Sequence, residues 1–204
     1  MLEKIFKSDY LKRLDNIKQW QEVDVFKEES VAQHSYKVAV FARVLLEDLF
    51  ARNSCNEILK FKLDCVTHAM FHDWDEALIL RDMSHKTKYN SYNGEEIRES
   101  LNHLTKHLVE EEFAGEEDSA FMLRKQISFP DPIVKTFCKL CDWLALQFYV
   151  ERELSLGNKY FADVSDYCLE NIRKSAANVK DVLIKRFGLV DYKVLDKIIN
   201  YGEQ

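Results

Sequence analysis

The sequence predicts a single all-helical domain, and three observations support this prediction. Glycine occurs 5 times and proline 2 times in 204 residues, far below their average shares of roughly 7% and 5%, so the residues that form β-turns are scarce. Apolar residues recur at helical spacing almost throughout the chain. The length fits one domain with a full hydrophobic core, and no internal repeat or linker-like segment divides it.

Start and stop signals divide the chain into individual helices. Ser30 and Gln33 have the spacing of a capping box at the start of one helix. Asp131 followed by Pro132 marks another start, with Asp as the N-cap, and Gly157 ends that helix. Residues 21–29 and 81–92 are polar links. The predicted helices cover residues 9–20, 30–51, 56–71 (continuing, with or without a break, to Leu80), 93–115, 116–128, 131–156, 163–188 and 191–201.

Charge and cysteine content restrict the partners and the compartment. The formal net charge is −6, which argues against a polymeric nucleic acid as partner but not against a single nucleotide held in a local pocket. Five cysteines, an odd number, stand mostly in apolar helical contexts and indicate reduced thiols of a cytoplasmic protein. The start of the chain has no apolar signal region, and no stretch is long enough to span a membrane.

Titratable side chains lie where the helical periodicity predicts burial. His34 and His72 each share a face with apolar residues, Asp73 follows directly, and Asp142 lies in a third apolar stripe. The apolar residues on these faces are Val38, Phe41 and Leu45 with His34; Ile58, Phe61, Cys65 and Ala69 with His72; and Cys138, Ala145, Leu146 and Tyr149 with Asp142. A buried carboxylate is costly unless it is paired or bound to a metal. Imidazole and carboxylate ligands together suit Mn, Fe, Co, Ni or Zn.

Glu76 extends this set, because it lies four residues after His72 and three after Asp73 and would cover the same surface on a helix. A carboxylate beside a metal-bound water is a ready general base. Taken singly, each of these residues is more simply a hydrogen-bonded core group. The spaced set as a whole favours a metal site.

Three segments carry a resemblance to a known family. The segments ESVAQHSYKVAVFARVL, HAMFHDWDEALILRDMSHKTKY and KLCDWLA resemble the HD-domain phosphohydrolases, and among them the bacterial 5'-deoxynucleotidases of the YfbR-like group. The resemblance covers about residues 10–157. It implies one HD-type helical domain over residues 1–204, with its core at about 10–157 and C-terminal helices at 158–204.

The resemblance also implies roles for individual residues. In the family one divalent metal ion is bound by four side chains, which here correspond to His34, His72, Asp73 and Asp142. The family's catalytic Glu and Asp fall on Glu76 and Asp82. The residues expected to contact substrate are Trp20 at the sugar and Lys27, Arg81, Lys88 and Lys139 as cations near the phosphate.

The implied activity is metal-dependent hydrolysis of 2'-deoxynucleoside 5'-monophosphates to deoxynucleoside and phosphate. Members of the family are often homodimers. The chain departs from the family pattern in three places. Gln19 stands where a basic residue is usual, and Asp24 where an arginine is expected. Arg81 and Asp82 replace the usual Gly-Asp of the loop, with one extra residue between this pair and Glu76. These departures leave open an HD-type triphosphohydrolase acting on nucleoside or deoxynucleoside triphosphates, and a non-catalytic HD domain that binds a nucleotide or a partner protein.

Overall fold

The structure is a computed structural model, and its secondary structure is helical over most of the residues that it describes. It describes residues 9–51, 55–74, 76–79, 96, 99–100, 103–104, 107, 131–188 and 192–201. Among the described helices, none has the uninterrupted apolar length that a bilayer crossing requires. The helices with defined bounds are α1 (Asp9–Asn16), α2 (Val31–Leu49), α3 (Asn56–Phe71), α4 (Glu76–Ile79), α5 (Pro132–Ser155), α6 (Phe161–Phe187) and α7 (Lys193–Ile199).

The predicted capping box at the start of α2 is confirmed. The backbone N–H of Ser30 donates to Gln33 Oε1 at 3.0 Å, and the backbone N–H of Gln33 donates to Ser30 Oγ at 3.2 Å. These two bonds satisfy N–H groups that the first turn of a helix leaves without partners. Local sequence therefore fixes where α2 begins.

The first helix ends earlier than the sequence predicts. It stops at Asn16 rather than near Trp20, because the next residues pair with the strand-like segment before α2. Lys18 and Ser30 form an isolated antiparallel bridge. Within the same pairing Gln19 N donates to Glu29 O at 2.8 Å, and the N–H of Val31 donates to the carbonyl of Ile17 at 2.9 Å. Residues 17–19, before the predicted link, are thus paired with residues 29–31 at its end.

The break after α3, which the sequence left open, is present. Residues 72–74 form turns, with Trp74 N donating to Phe71 O at 3.2 Å and Glu76 N donating to Asp73 O at 3.0 Å. Hydrogen bonds between residues three apart coil the chain more tightly than the four-residue spacing of an α-helix. Glu76 therefore begins a separate short helix instead of continuing α3, so His72 and Glu76 do not lie on one continuous helix as their spacing predicts.

The C-terminal half follows its start and stop signals closely. Asp131 Oδ1 accepts from Ile133 N at 2.8 Å, so the predicted N-cap of α5 is confirmed. After α5 comes Gly157 with φ 94°, a conformation that glycine adopts without the steric cost of a Cβ atom. The next helix begins at Phe161, two residues before the predicted Asp163. The helices predicted at 93–115 and 116–128 lie mostly or wholly outside the described residues.

The described residues divide into two compact units, and the prediction of one domain stays a prediction. The first unit comprises Met1–Ser35 and Phe71–Pro130. Its core is a small apolar cluster to which α1, the start of α2 and α4 contribute. Phe71 and Trp74 stack in this unit with ring centroids 4.6 Å apart. The buried members of the cluster are Leu14, Ile17, Val31, Trp74 and Ala77.

The second unit comprises Tyr36–Met70 and Asp131–Gln204. Its larger core contains an aromatic group in which Phe61 contacts Phe50, Phe137 and Phe187 at centroid distances of 5.2 to 6.0 Å. The long helix α6 buries one stripe at helical spacing. That stripe consists of Phe161, Cys168, Ile172, Ala176, Val179 and Leu183.

Candidate metal centre

His34 lies in the first turns of α2, on the buried face that its spacing predicts. Its side chain is 4% exposed, and Nδ1 lies 3.7 Å from Oε1 of the buried Glu29. The ring centroids of His34 and His72 are 5.5 Å apart. Two imidazoles at this separation can both reach one ion, since metal–nitrogen bonds are about 2.0–2.1 Å long.

His72 and Asp73 follow the last residue of α3, where the chain leaves the helix. Nε2 of His72 lies 3.0 Å from Oδ2 of Asp73, and both side chains are largely buried. Two atoms each about 2.1 Å from one metal ion, with their bonds at right angles, are about 3.0 Å apart. The observed separation therefore fits two neighbouring ligands of one ion.

Glu76 is fully buried, with 1% of its surface exposed, at the start of α4. Its backbone N–H is bonded to the carbonyl of Asp73, so the turn fixes its position relative to that residue. A carboxylate in this setting has few conformations available to it. Such restriction is what a proton-accepting group near a bound water needs.

Asp142 lies on α5 and is half-buried. Its Oδ2 accepts a charge-assisted hydrogen bond of 2.6 Å from Lys139 Nζ, one turn earlier on the helix. The same ammonium lies 4.9 Å from the ring centroid of Trp143, which is a cation–π contact. Asp142 and Lys139 thus form a local pair of opposite charge.

Three of the four predicted metal ligands, His34, His72 and Asp73, lie close together in the first unit. The ring centroids of His34 and His72 are 5.5 Å apart, and His72 Nε2 lies 3.0 Å from Asp73 Oδ2. Asp142 belongs to the second unit, and its role as a ligand stays a prediction. The donor set of two imidazoles and one carboxylate suits a divalent transition metal. Among the described residues, Cys138 and Cys141, whose spacing also occurs in zinc sites, belong to no group of His, Cys, Asp or Glu with metal-ligand spacing.

The residues predicted to contact substrate are described only in part. Trp20 is half-buried and has φ 62°, the positive value that non-glycine residues rarely adopt. Lys27 is exposed. The predictions for Asp82, Arg81 and Lys88 lie outside the described residues.

Glu29 is the residue that the sequence analysis missed. It is 2% exposed and faces His34, but no apolar periodicity marks it because it precedes the helix. A signal was nevertheless present. The capping box makes Ser30 the N-cap, so residues 29 and 34 occupy the two positions that commonly contact each other across a helix start.

Comparisons with known proteins agree with the fold. An HD-domain phosphohydrolase from Listeria innocua is 19% identical, with a TM-score of 0.61 over 98% of this chain and 90% of that one. The PH0347 protein from Pyrococcus horikoshii OT3 is 20% identical, with a TM-score of 0.61 over 98% of this chain and 99% of that one. A search of curated proteins gives no significant match.

The helical fold is therefore similar to that of a solved HD-domain phosphohydrolase. A scan of protein families is more specific and matches residues 7–188 to the family described as 5'-deoxynucleotidase YfbR-like. The chain belongs to this family. The resemblance noted in the sequence is thereby confirmed, as are the all-helical fold and the hydrolase class.

Proposed function

We propose that this protein hydrolyses the 5'-phosphate of 2'-deoxynucleoside 5'-monophosphates, using one divalent transition metal ion. The observation that carries the proposal is the grouping of His34, His72 and Asp73 in the first unit, with 5.5 Å between the two ring centroids and 3.0 Å from His72 Nε2 to Asp73 Oδ2, in a chain of the YfbR-like family. Asp142 is the fourth proposed ligand. The ion is one of Mn, Co, Fe, Ni or Zn.

The charges of the proposed ligands define what else the site needs. Two neutral imidazoles and two carboxylates balance a divalent cation, so a phosphate dianion brings uncompensated negative charge. When bound, the metal supplies Lewis-acid chemistry that orients the phosphate and lowers the pKa of a coordinated water. The remaining charge is assigned to the side chains of Lys27, Arg81, Lys88 and Lys139.

Proton transfer is assigned to two carboxylates. Glu76 is proposed to position and deprotonate the attacking water, which its burial and its fixed backbone support. Asp82 is proposed to protonate the departing 5' oxygen or to orient the water. Together they would deliver a proton to the leaving group and remove one from the nucleophile.

Trp20 is proposed to select the deoxy sugar. Its left-handed backbone conformation is of the kind that costs free energy and clusters at functional sites. An indole ring against the sugar would leave no room for a ribose 2'-hydroxyl. The proposed substrate is therefore a deoxynucleotide rather than a ribonucleotide.

The proposed function is tested by phosphate release from deoxy- and ribonucleoside 5'-mono- and triphosphates, with Mn, Co or Zn added to chelated protein. Asp73→Ala removes a proposed ligand. Asp48→Asn, at an exposed carboxylate near the end of α2, is the matched control. We expect metal-dependent release of phosphate from deoxynucleoside monophosphates by the wild type and the control, and none by Asp73→Ala.

Other outcomes distinguish the alternatives. Release of triphosphate from deoxynucleoside triphosphates would move the protein to another HD reaction. No turnover of any nucleotide by folded, metal-loaded protein would make it a binding domain. The homodimer, the cytoplasmic location and the absence of a polymeric nucleic-acid partner stay predictions. Light scattering on purified protein tests the first of them.

A further inference from the structure

Glu29 and His34 occupy positions that normally hold two apolar residues. Ser30 is the N-cap of α2, so Glu29 is the residue before the cap and His34 is the fourth residue of the helix. In many helices these two positions form an apolar contact that fixes how the chain enters the helix. Here the contact is between a carboxylate and an imidazole, 3.7 Å apart.

Both side chains are buried, so a polar pair at these two positions costs free energy that an apolar pair would not. Glu29 is 2% exposed and His34 is 4% exposed. A buried carboxylate is strongly disfavoured unless neighbouring charges or dipoles stabilise it. The start of α2 supplies part of that stabilisation through its helix dipole. An apolar pair would serve the helix start at least as well, so packing alone does not account for Glu29.

The backbone around Glu29 holds the side chain in place. The carbonyl of Glu29 accepts from Gln19 N at 2.8 Å, and the next residue, Ser30, forms the bridge with Lys18. The residue after that, Val31, donates to Ile17 O at 2.9 Å. The backbone of Glu29 is therefore held between a capped helix and a paired segment, and the burial of its side chain restricts where the carboxylate can turn.

We propose that Glu29 is a positioning residue for His34, holding the imidazole with Nδ1 towards the carboxylate and Nε2 towards the metal. This inference rests on the metal site of the proposed function. A carboxylate beside Nδ1 favours the tautomer that carries its proton there, which leaves the lone pair on Nε2. Carboxylates in this position orient metal-bound histidines and raise their basicity.

Three variants separate this role from a structural one. Glu29→Met removes the charge and the acceptor but keeps an apolar side chain of similar length. Glu29→Gln keeps an acceptor oxygen and removes only the charge. Glu28→Gln is the matched control, because Glu28 is exposed and pairs with Lys18 at 2.6 Å, away from the histidine.

Two readouts are measured on each variant. Long-range 1H–15N NMR correlations of the metal-free protein report which nitrogen of His34 carries the proton. Calorimetric titration with Zn²⁺ and Co²⁺ reports affinity. We expect Nδ1–H in the wild type and a mixture in Glu29→Met, with metal affinity about 10- to 100-fold weaker. Glu29→Gln falls between them, and Glu28→Gln equals the wild type. The thermal midpoint of the metal-free Glu29→Met protein is unchanged or higher, because a buried charge is lost.

Zinc affinity within twofold of the wild type in Glu29→Met, or an unchanged His34 tautomer, would overturn the role of Glu29. Failure of the proposed function looks different. A wild type that binds neither ion overturns the metal site, while the NMR result, which needs no metal, still decides whether Glu29 sets the state of His34. Should Glu29→Met fail to fold, the same two readouts on Glu29→Gln decide.

Discussion

Lys139 Nζ lies 2.6 Å from Oδ2 of Asp142, one turn apart on α5. Asp142 is also a proposed metal ligand, so the metal-free protein pairs a ligand oxygen with a cation of its own. We therefore expect a bound metal ion and the ammonium to compete for this carboxylate. Such competition would give Lys139 two states, one paired with Asp142 and one available to a phosphate oxygen.

Replacing Lys139 by Met should separate metal binding from turnover. Without the competing ammonium, we expect metal affinity to stay equal to that of the wild type or to increase several-fold. We expect kcat/KM for a deoxynucleoside monophosphate to fall at least tenfold, because a charge-assisted hydrogen bond contributes about 1.5–3 kcal/mol. Calorimetric titration and phosphate release measure the two effects on the same protein.

Lys135→Met is the matched control for that experiment, since Lys135 is an exposed lysine one turn earlier on α5. It should change neither quantity. Weaker metal binding in Lys139→Met would contradict the competition, because it would mean that the ammonium supports the metal site rather than opposing it.

Trp20→Asn should remove sugar selectivity without disturbing the turn. Asparagine tolerates positive φ better than most residues, so it can keep the 62° conformation of Trp20 while the indole is lost. We expect the ratio of kcat/KM for deoxy- over ribonucleotides to fall towards one. The ratio is measured with a matched pair such as dAMP and AMP, and a ratio equal to that of the wild type would assign selectivity to other residues.

Signals that act over three or four residues were readable from the sequence. The box formed by Ser30 and Gln33 and the cap formed by Asp131 involve neighbours in the chain, so the starts of α2 and α5 were predicted correctly. The end of α1 was not, because the bridge between Lys18 and Ser30 joins segments twelve residues apart. No local pattern reports such a pairing.

The same distinction applies to the candidate site. Helical periodicity predicts inward faces for His34, His72 and Asp142, and within the first unit the ring centroids of His34 and His72 lie 5.5 Å apart. Glu29 was missed because it lies before the helix, and only its contact with His34 points to a role for it. Periodicity finds residues that share a face, but it does not find the residue that orients one of them.

Acid should weaken the contact between the start of α5 and the end of α6, where Arg186 pairs with Asp131. Burial raises the pKa of Asp131, but hydrogen bonds from Arg186 and from the backbone of Ile133 outweigh it, so the pKa is lowered below its usual value. At pH values above the unfolded-state pKa of about 3.9, the ionised carboxylate therefore stabilises the folded protein. This contribution is lost as the pH falls through the lower pKa that Asp131 has in the folded state.

Asp131→Ala tests this dependence. At pH 7 we expect a loss of about 0.5–2 kcal/mol in the free energy of unfolding, the usual cost of removing an N-cap. The difference from the wild type should shrink as the pH approaches 3, as measured by urea unfolding at each pH. A difference that is constant from pH 7 to pH 3 would mean that the ionised carboxylate contributes nothing.

The cysteines should differ strongly in reactivity. All five are free thiols, and Cys55 is exposed while the other four are buried. Burial raises the pKa of Cys168 to about 12, and it raises those of Cys65 and Cys141 well above the usual value. At pH 8 a thiol with a pKa of about 12 is roughly 0.01% thiolate, and the thiolate is the form that reacts. We therefore expect a disulfide reagent such as DTNB to label one thiol rapidly in the native protein and all five in denaturant.

Cys55→Ser should abolish the rapid phase of labelling. Rapid labelling of a second thiol would show that the core of the second unit opens more readily than its packing implies.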